Sequence, residues 1–275
     1  MAKNFQTEVS IEKAIQAGRG KGQGKDYSPW LEIHQVPSLG KSSRIKGWKT
    51  GRIHHLLSQL ELHYMYLCEW NDNITDIREQ YPLLPREDIQ TICKELGIPH
   101  PKDPRTGINI VMTTDFVLTD TDGRLHAKTI KPSKDLESER VVQKLEIERV
   151  FWEQQGATWK ILTEQELSVE KAKSIEWLHS KRLVEDMAPI TPKEIHRARI
   201  WLETRIANGF QVKLSDICSR CDEELGFLSG SSLSIARHLL ANKVWHTPIA
   251  PRITPHKPLT ITLHGDTNKQ SVRVG

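Results

Sequence analysis

Glu61 is a charged residue at a position where an apolar one would be ordinary. It follows Leu57 by four residues and precedes Tyr64 and Cys68 by three and seven, so it lies in line with the apolar stripe of a predicted helix. Burial of an unpaired carboxylate is costly, and we therefore expect a cation or a metal ion beside it. The alternative is structural, because Ser58 and Glu61 have capping-box spacing and the glutamate could simply cap a helix that begins at Ser58.

Asp115 and Lys131 lie on the two strands of the strongest hairpin signal in the chain. Aspartate is a poor strand former, so an acid inside this β-rich segment favours a strand end, a turn or a site. A two-residue loop at 122–123 would leave Lys131 on the opposite face from Asp115. A three-residue loop with Gly123 at positive φ pairs Asp115 with Thr129, and then Thr129 and Lys131 share the face of Asp115. A site on this hairpin requires the second register.

A helix glutamate, a hairpin aspartate and a lysine on the returning strand form the layout of the PD-(D/E)xK nucleases. Two carboxylates can hold Mg²⁺, a hard ion that prefers oxygen ligands. The ion polarises a phosphate and lowers the pKa of a bound water. The lysine can orient that water or stabilise the charge that develops on phosphorus oxygens.

Hydrophobic periodicity and turn residues divide the chain into elements. We expect helices and strands to alternate in the first half and to give a mixed α/β domain: a helix over 52–69, an extended segment over 74–84, a helix over 86–97, strands over 109–119 and 125–131, a helix over 136–155 and a strand over 158–162. The second half is expected to be almost entirely helical, with helices over 168–186, 192–208, 213–223 and 231–241. The last three resemble a helix-turn-helix, with a wing starting at Val244 and Trp245, and this module could contact DNA or protein.

The predicted domain organisation follows from these elements. It comprises a basic glycine-rich arm over 1–55, an endonuclease core over 56–166, a winged-helix-like domain over 167–246 and a loosely held, proline-rich tail over 247–275. Together with the resemblance to the PD-(D/E)xK layout, these elements imply a restriction-endonuclease-like α/β domain followed by an all-α winged-helix or helix-turn-helix-like domain.

Composition excludes several classes of protein. The chain has 275 residues, of which 37% are hydrophobic and 27% charged, and this suits a globular protein rather than a disordered one. No apolar run approaches the roughly 20 residues that span a bilayer, and four cysteines do not make a disulfide framework, so we expect a reducing cytoplasm.

Charge is unevenly distributed. Residues 1–55 hold ten Lys and Arg against four acids, a local net charge of 10 − 4 = +6, whereas the whole chain carries a net charge of +4. A basic segment with interleaved aromatic residues suits a polyanion such as DNA, although a solvated, mobile leader would look similar. The residues predicted to bind nucleic acid are Lys21, Lys25, Lys41, Arg44, Lys46, Lys49 and Arg52.

A family resemblance is carried by short segments spread over roughly residues 20–165. They are Gly24-Lys-Asp-Tyr-Ser-Pro-Trp30, the segment from Thr50 to Glu61, Asp76-Ile-Arg-Glu-Gln-Tyr-Pro-Leu83, Thr113-Thr-Asp-Phe116, Ile130-Lys-Pro132 and Lys144-Leu-Glu-Ile-Glu-Arg149. In these the chain resembles the TnsA endonucleases, the donor-cutting subunits of heteromeric transposons. The C-terminal half is similar to the family in architecture only.

The resemblance implies roles for individual residues. It places the catalytic acids on Glu61 and Asp115 and the catalytic lysine on Lys131, with the main-chain carbonyl of Ile130 as a further metal ligand. The implied cofactor is Mg²⁺, with Mn²⁺ as a substitute and two ions in the site. Thr129 departs from the family pattern, in which Glu, Asp or Gln stands at this position, and a hydroxyl would reach the metal through water.

The resemblance also implies a reaction and partners. The chain would cut the 5′ strands of double-stranded DNA at transposon ends in the bacterial cytoplasm, associated with the nucleoid when assembled. A recombinase-type transposase, TnsB, would cut and join the other strands, and an ATP-dependent regulator, TnsC, would activate the assembly. Two alternatives remain open: a stand-alone restriction or repair nuclease, and a non-enzymatic helix-turn-helix DNA-binding or assembly protein.

Other chemically suggestive residues have structural interpretations that we favour. Cys218 and Cys221 have metal-like spacing, but no second close pair accompanies them, so we expect them to pack the second domain. Lys144 and Glu148 form an i, i+4 helix pair that needs no function. His54 and His55 flank the helix of Glu61 and are expected at the surface or facing DNA. We expect Arg78, Glu79 and Gln80 to form an outer shell around the metal.

Overall fold

The computed structural model describes residues 6–35, 41–187, 189–206 and 211–263. These residues divide into two units, 1–168 and 169–275, each of which is described by itself. In the first unit the elements are α1 (Glu8–Gln16), β1 (Ser43–Lys46), β2 (Ile53–Leu56), α2 (Gln59–Trp70), β3 (Ile74–Pro82), α3 (Arg86–Leu96), β4 (Thr113–Asp120), β5 (Leu125–Ile130), α4 (Glu139–Gln154) and β6 (Thr158–Leu162). In the second they are α5 (Val169–His179), α6 (Pro192–Ile206), β7 (Val212–Lys213), α7 (Leu214–Leu225), α8 (Ser231–Ala241), β8 (Trp245–His246), β9 (Pro258–Leu259) and β10 (Thr262–Leu263).

A mixed sheet with the strand order β3-β4-β5-β6 forms the centre of the first unit. The first three strands are antiparallel, and β6 joins β5 in parallel after the crossover helix α4. Alternation along the strands gives the sheet two buried faces. On one face Phe116 meets Tyr64 of α2 edge-on at 5.2 Å, and on the other Val117 and Ala127 pack with Phe151 of α4. The expected mixed α/β architecture of this half is confirmed.

The predicted hairpin register is also confirmed. Phe116 pairs with Lys128 and Thr119 with Leu125, so that continuing the ladder places Asp115 opposite Thr129. Gly123 adopts φ +79°, as the three-residue loop requires. The predicted helix over 52–69 is wrong in its first part, because β2 is a strand paired with β1 and the helix begins at Gln59 after the cap residue Ser58.

The described part of the predicted basic arm is not separate from the domain. Tyr27 and Trp30 are buried, and Ile11 and Trp30 form a small core cluster with Val111. Tyr27 Oη donates to the carbonyl of Glu79, and the Trp30 N–H donates to the carbonyl of Gln80. The segment therefore completes the outer edge of β3 and belongs to the first unit.

One glycine of this segment serves packing rather than DNA. A Cβ on Gly20, whose φ is +79°, would lie 2.2 Å from Cγ of Pro82. The chain can approach β3 this closely only because the side chain is absent.

The second unit contains helices and short strands. Within its described residues β7 pairs with β9 and β8 pairs with β10, which corrects the prediction of an all-α domain. The tail prediction is wrong as far as residue 263, because Ile253 and Ile261 are buried and the Ile253 N–H donates to Ser174 Oγ at 2.8 Å. The remainder of the predicted tail, 264–275, lies outside the described residues.

Helices α7 and α8 are joined by a tight turn over 226–230. The buried carboxylate of Asp222 accepts hydrogen bonds from the main-chain N–H groups of Gly230, at 2.7 Å, and Ser232, at 2.8 Å, and so caps the start of α8. Cys218 and Cys221 are buried on α7, as the packing interpretation predicted. Among the described residues, no helix has the length and apolar character needed to cross a bilayer.

Candidate active site

The edge of the sheet carries a distortion shared by β3 and β4. Val117 packs toward α4, and Thr114, three residues earlier, also reaches α4, where its Oγ1 accepts a hydrogen bond from Trp152 Nε1 at 2.7 Å. Regular alternation would place residues three apart on opposite faces, so the alternation breaks between them, at Asp115. On the neighbouring strand Gln80 has φ +48° opposite this point.

At the distortion, the side chain of Asp115 takes part in the hydrogen bonding between β4 and β5. Asp120 and Arg124 form a hydrogen-bonded pair near the turn, so alternation would make Thr114 and Ile130 such a pair as well. Instead, Oδ2 of Asp115 accepts the Ile130 N–H at 2.7 Å. The carboxylate has taken the position of a ladder acceptor, and the two strands separate beyond it.

Lys131 completes this arrangement. Its main-chain N–H donates to the carbonyl of Leu162, which continues the contact with β6 beyond the end of β5. Its Nζ donates to Asp115 Oδ2 at 2.9 Å and to the Ile130 carbonyl at 3.1 Å. Desolvation alone would lower the pKa of Lys131, but the attraction of Asp115 outweighs it and raises that pKa. The lysine is therefore a permanent cation next to the aspartate.

Glu61 caps its helix and also faces the same site. Its N–H donates to Ser58 Oγ at 3.1 Å, while its Oε2 accepts the Leu57 N–H at 2.9 Å and Gln80 Nε2 at 3.3 Å. The side chain is 5% exposed, and burial followed by repulsion from Asp115 raises its pKa to about 7. The capping interpretation and the site interpretation are thus compatible, since one carboxylate serves both.

Glu148 is a buried carboxylate beside the site to which the sequence analysis assigned no function. It is 4% exposed, and its Oε1 accepts hydrogen bonds from the hydroxyls of Thr114, at 2.6 Å, and Thr129. Burial raises its pKa to about 7 despite these hydrogen bonds. The signal was available, because Glu148 lies three residues after Leu145 and four before Trp152, in the apolar stripe of α4.

Thr129 has the predicted register but a different partner from the one expected. Its hydroxyl donates to Glu148 on the α4 side, whereas Asp115 turns to Ile130 and Lys131. A metal site that involves the Thr129 hydroxyl therefore has to involve Glu148 as well, because the two side chains are hydrogen-bonded.

Of the three predicted outer-shell residues, the structure brings Gln80 into contact with the site. Glu79 accepts hydrogen bonds from Arg52, His54 Nδ1 and the His55 N–H instead. Burial alone would raise the pKa of Glu79, but the hydrogen bonds from Arg52 and His54 hold it at about 2. Arg78 contacts Asp76 and Thr119 instead of the site.

The predicted nucleic-acid-binding residues fall into three groups. Lys21, Lys25, Lys41, Arg44 and Lys46 are exposed. The Nζ of Lys49 donates to the main-chain carbonyl of Asn71. Arg52 is a correction to the prediction, because its guanidinium is buried against Glu79 and forms two hydrogen bonds with it, which withdraws it from a DNA surface. His54, expected at the surface, is fully buried in the same cluster.

The donor set fits a divalent cation. Glu61 and Asp115 are two buried carboxylates, and burial followed by repulsion from Asp115 raises the pKa of Glu61; Lys131 Nζ links Asp115 to the Ile130 carbonyl. A hard cation would relieve this repulsion and would bind oxygen ligands. Among the described residues no group of three His, Cys, Asp or Glu side chains is arranged to hold a metal, so a main-chain carbonyl or water has to complete the ligand set.

A cleft of about 280 Å³ opens beside these groups. Lys131, Lys144 and Glu148 lie on its polar side, and Met112 and Leu145 are among its apolar lining residues. Lys131 and Glu148 are thus the groups of the site that border this cleft.

Comparison with known proteins identifies the family of the chain. Residues 71–164 match the family model described as the TnsA-like endonuclease N terminal, and residues 166–249 match the model described as the TnsA endonuclease C terminal. The chain is also 40% identical over 238 residues to the Transposon Tn7 transposition protein TnsA of Escherichia coli, an alignment that covers 86% of this chain and 84% of the relative. The chain belongs to the TnsA endonuclease family. The resemblance seen in the sequence is confirmed, and the chain is a DNA endonuclease of transposition.

Proposed function

We propose that this TnsA-family endonuclease hydrolyses one phosphodiester in the 5′ strand at each transposon end with Mg²⁺, for which Mn²⁺ can substitute. The observation that carries this proposal is the shared Asp115 Oδ2, which accepts hydrogen bonds from Ile130 N and Lys131 Nζ, while the Asp115 charge acts on the buried Glu61. Buried carboxylates beside a charged lysine at a sheet edge suit metal-assisted phosphodiester hydrolysis.

The roles follow from the positions of the groups. Glu61, Asp115 and the Ile130 carbonyl would hold the cation, which when bound supplies Lewis acidity to the phosphate and to water. Lys131 stabilises negative charge on the non-bridging phosphate oxygens. Water oxygen forms the new bond to phosphorus, and the bond from phosphorus to the leaving oxygen breaks. The proton lost by water goes to solvent or to a buried carboxylate, and the leaving oxygen takes up a proton from solvent. A second ion, if bound, would involve Glu148 and Thr129, whose hydrogen bond ties them together.

Partners follow from family membership. We propose that the chain works on double-stranded transposon ends together with a TnsB-type transposase, which would cut and join the other strands, and a TnsC-type ATP-dependent regulator, in the bacterial cytoplasm at the nucleoid. The relative is named as a transposition protein of Tn7, and this supports action within a set of transposition proteins.

We further propose that the second unit is a winged-helix-like module that docks protein. None of the eleven residues of α8, all of which are described, is exposed. Arg237 Nε donates to the Trp177 carbonyl at 3.0 Å, and His238 Nδ1 lies 2.9 Å from the Lys181 carbonyl. A helix whose basic groups already bind main-chain carbonyls is poorly suited to reading bases.

The experiment uses the full chain with its partner transposase and regulator on end-labelled DNA. We expect strand-specific cutting that needs Mg²⁺ or Mn²⁺ and disappears in Asp115→Ala and Glu61→Ala. Cutting by either variant at the wild-type rate would contradict the assigned site. Specific cutting of transposon ends by the chain alone would instead support a stand-alone nuclease.

A further inference from the structure

A two-stranded ribbon stands directly before the helix of Glu61. We call residues 43–56 the basic ribbon; it consists of β1, β2 and the turn between them. Arg44 pairs with His55 and Lys46 with Ile53, and directly opposed residues of an antiparallel pair share a face. On the opposite face His54 and Leu56 have no exposed surface, and their partners Ser43 and Ile45 are half-buried. The ribbon therefore presents Arg44, Lys46, Ile53 and His55 on one outward face.

The basic ribbon is held at its turn by the end of α2. The ring of Trp48 lies 6.4 Å from the ring of Trp70, and the Lys49 N–H donates to Glu69 Oε2 at 3.2 Å. Gly47 allows the close approach, because a Cβ there would lie 2.6 Å from His54 Nε2. The turn is thus fixed against the body of the domain.

The base of the basic ribbon is held by the site itself. Strand β2 ends at Leu56, and the next N–H, that of Leu57, donates to the carboxylate of Glu61 at 2.9 Å. The inward cluster of Arg52, His54 and Glu79 fixes β2 to β3. These contacts hold the ribbon to β3 and to Glu61.

We propose that the outward face of the basic ribbon grips the DNA backbone beside the scissile phosphate and so sets which phosphodiester reaches Glu61. This inference rests on the proposed nuclease function and adds the surface that positions its substrate. Because β2 ends at Leu56, five residues before Glu61 on α2, the ribbon lies next to a phosphate bound at Glu61. A two-stranded ribbon is also a shape that a DNA groove accommodates.

The chemistry of the outward face suits phosphates. Arg44 and Lys46 are exposed and two residues apart on one strand, so their Cα atoms are separated by roughly 6.7 Å. Ile53 is 47% exposed, so its apolar surface is available for contact with deoxyribose. The four outward residues include no carboxylate, and the neighbouring acid, Glu32, is already paired with Arg19 and His34.

His55 adds a directed donor. Its Nδ1 accepts the Ile33 N–H at 3.3 Å, so in the neutral ring the proton resides on Nε2. Burial lowers the pKa of His55 and favours that neutral form. The ring can therefore donate a hydrogen bond to a phosphate oxygen without carrying a charge.

The first test measures duplex binding without divalent ions over a range of salt concentrations. Arg44→Ala/Lys46→Ala should bind more weakly, and its slope of log affinity against log salt should be shallower by about 1.8, the value for two lost phosphate contacts. The control Lys13→Ala/Lys94→Ala removes the same charge from exposed positions outside the ribbon. Equal loss in both double variants, or none in the ribbon variant, would overturn the proposal. Unchanged DNA binding with weaker binding to the partner proteins would assign the face to protein instead.

The second test places a photo-crosslinker on the outward face. A cysteine at Ile53 can be labelled selectively, because the four native cysteines are buried. We expect the Ile53→Cys conjugate to crosslink to DNA flanking the cut and the Leu96→Cys conjugate, at another exposed apolar position on α3, to give none. Equal crosslinking from both positions would contradict the proposal.

Binding without divalent ions does not depend on the nuclease centre. A failure of the binding test is therefore distinguishable from a failure of Asp115→Ala to abolish cutting.

Discussion

The carboxylate of Asp115 accepts the main-chain N–H of Ile130 at 2.7 Å, the group that a regular ladder would pair with the carbonyl of Thr114. The hydrogen bond lies where the regular pairing of β4 with β5 ends, and the same carboxylate oxygen accepts a hydrogen bond from Lys131 Nζ. It makes the aspartate part of the sheet as well as part of the site.

Asp115→Asn should separate these two roles. The remaining amide oxygen can still accept from Ile130, so we expect the melting temperature of the variant to stay close to that of the wild type. Loss of the negative charge should weaken metal binding and reduce cleavage on the order of a hundredfold or more. Calorimetric Mn²⁺ titration and single-turnover cleavage measure the two effects, and wild-type metal affinity would contradict a ligand role for Asp115.

Ser58→Ala should lower stability but not cleavage, whereas Glu61→Gln should abolish cleavage. Loss of the Ser58 cap should cost about 1 kcal/mol of stability and leave the chemistry largely intact. Glu61→Gln keeps hydrogen-bonding capacity but removes a metal ligand, so it should abolish cutting. Thermal melts and cleavage rates on both variants decide the matter, and a Glu61→Gln enzyme that cuts normally would leave only the capping role.

The metal-free protein should become less stable as pH rises. The pKa of Glu148 is raised to about 7 in the folded chain from an ordinary 4.5, so its contribution is complete below about pH 4.5 and is lost as pH rises through 7. A shift of this size corresponds to on the order of 3 kcal/mol for one group. The pKa of Glu61 is also raised, so its contribution to stability is likewise lost as pH rises. Urea titrations in EDTA at several pH values provide the measurement.

A matched variant isolates Glu148 in that experiment. Glu148→Gln stays neutral, so its stability should vary less between about pH 5 and pH 8 than that of the wild type. An identical pH dependence in the two proteins would show that Glu148 does not titrate in this range.

Lys131→Ala should slow cleavage without weakening metal binding. The ammonium is not a ligand, and its removal leaves the Asp115 carboxylate without its cation. We therefore expect Mn²⁺ affinity to stay the same or to rise while the rate falls about 10²- to 10³-fold. Loss of metal affinity equal to that of Asp115→Asn would contradict the role given to Lys131.

The sequence allowed much of the site to be predicted, because the unusual positions of Glu61 and Asp115 are visible in the pattern of their neighbours. The register of the hairpin followed from Gly123 and the need to bring Lys131 to Asp115. The same reasoning would have found Glu148, but its i, i+4 spacing from Lys144 offered a simpler explanation.

Other features depend on contacts that no local pattern contains. The segment 53–56 has helical spacing, yet pairing with β1 and the cap at Ser58 make it a strand. Arg52 looked like part of a DNA surface, and only the position of Glu79 on a distant strand buries it. The distortion at Gln80 and Asp115 arises between two strands that are far apart in the sequence.

The most direct measurement of the central claim is anomalous diffraction from crystals of the full chain soaked in Mn²⁺. We predict a peak about 2.1 Å from carboxylate oxygens of both Glu61 and Asp115 and from the Ile130 carbonyl, and loss of that peak in Asp115→Asn crystals. A wild-type peak bound elsewhere, or one that persists unchanged in the variant, would contradict the assignment of these residues as the metal site.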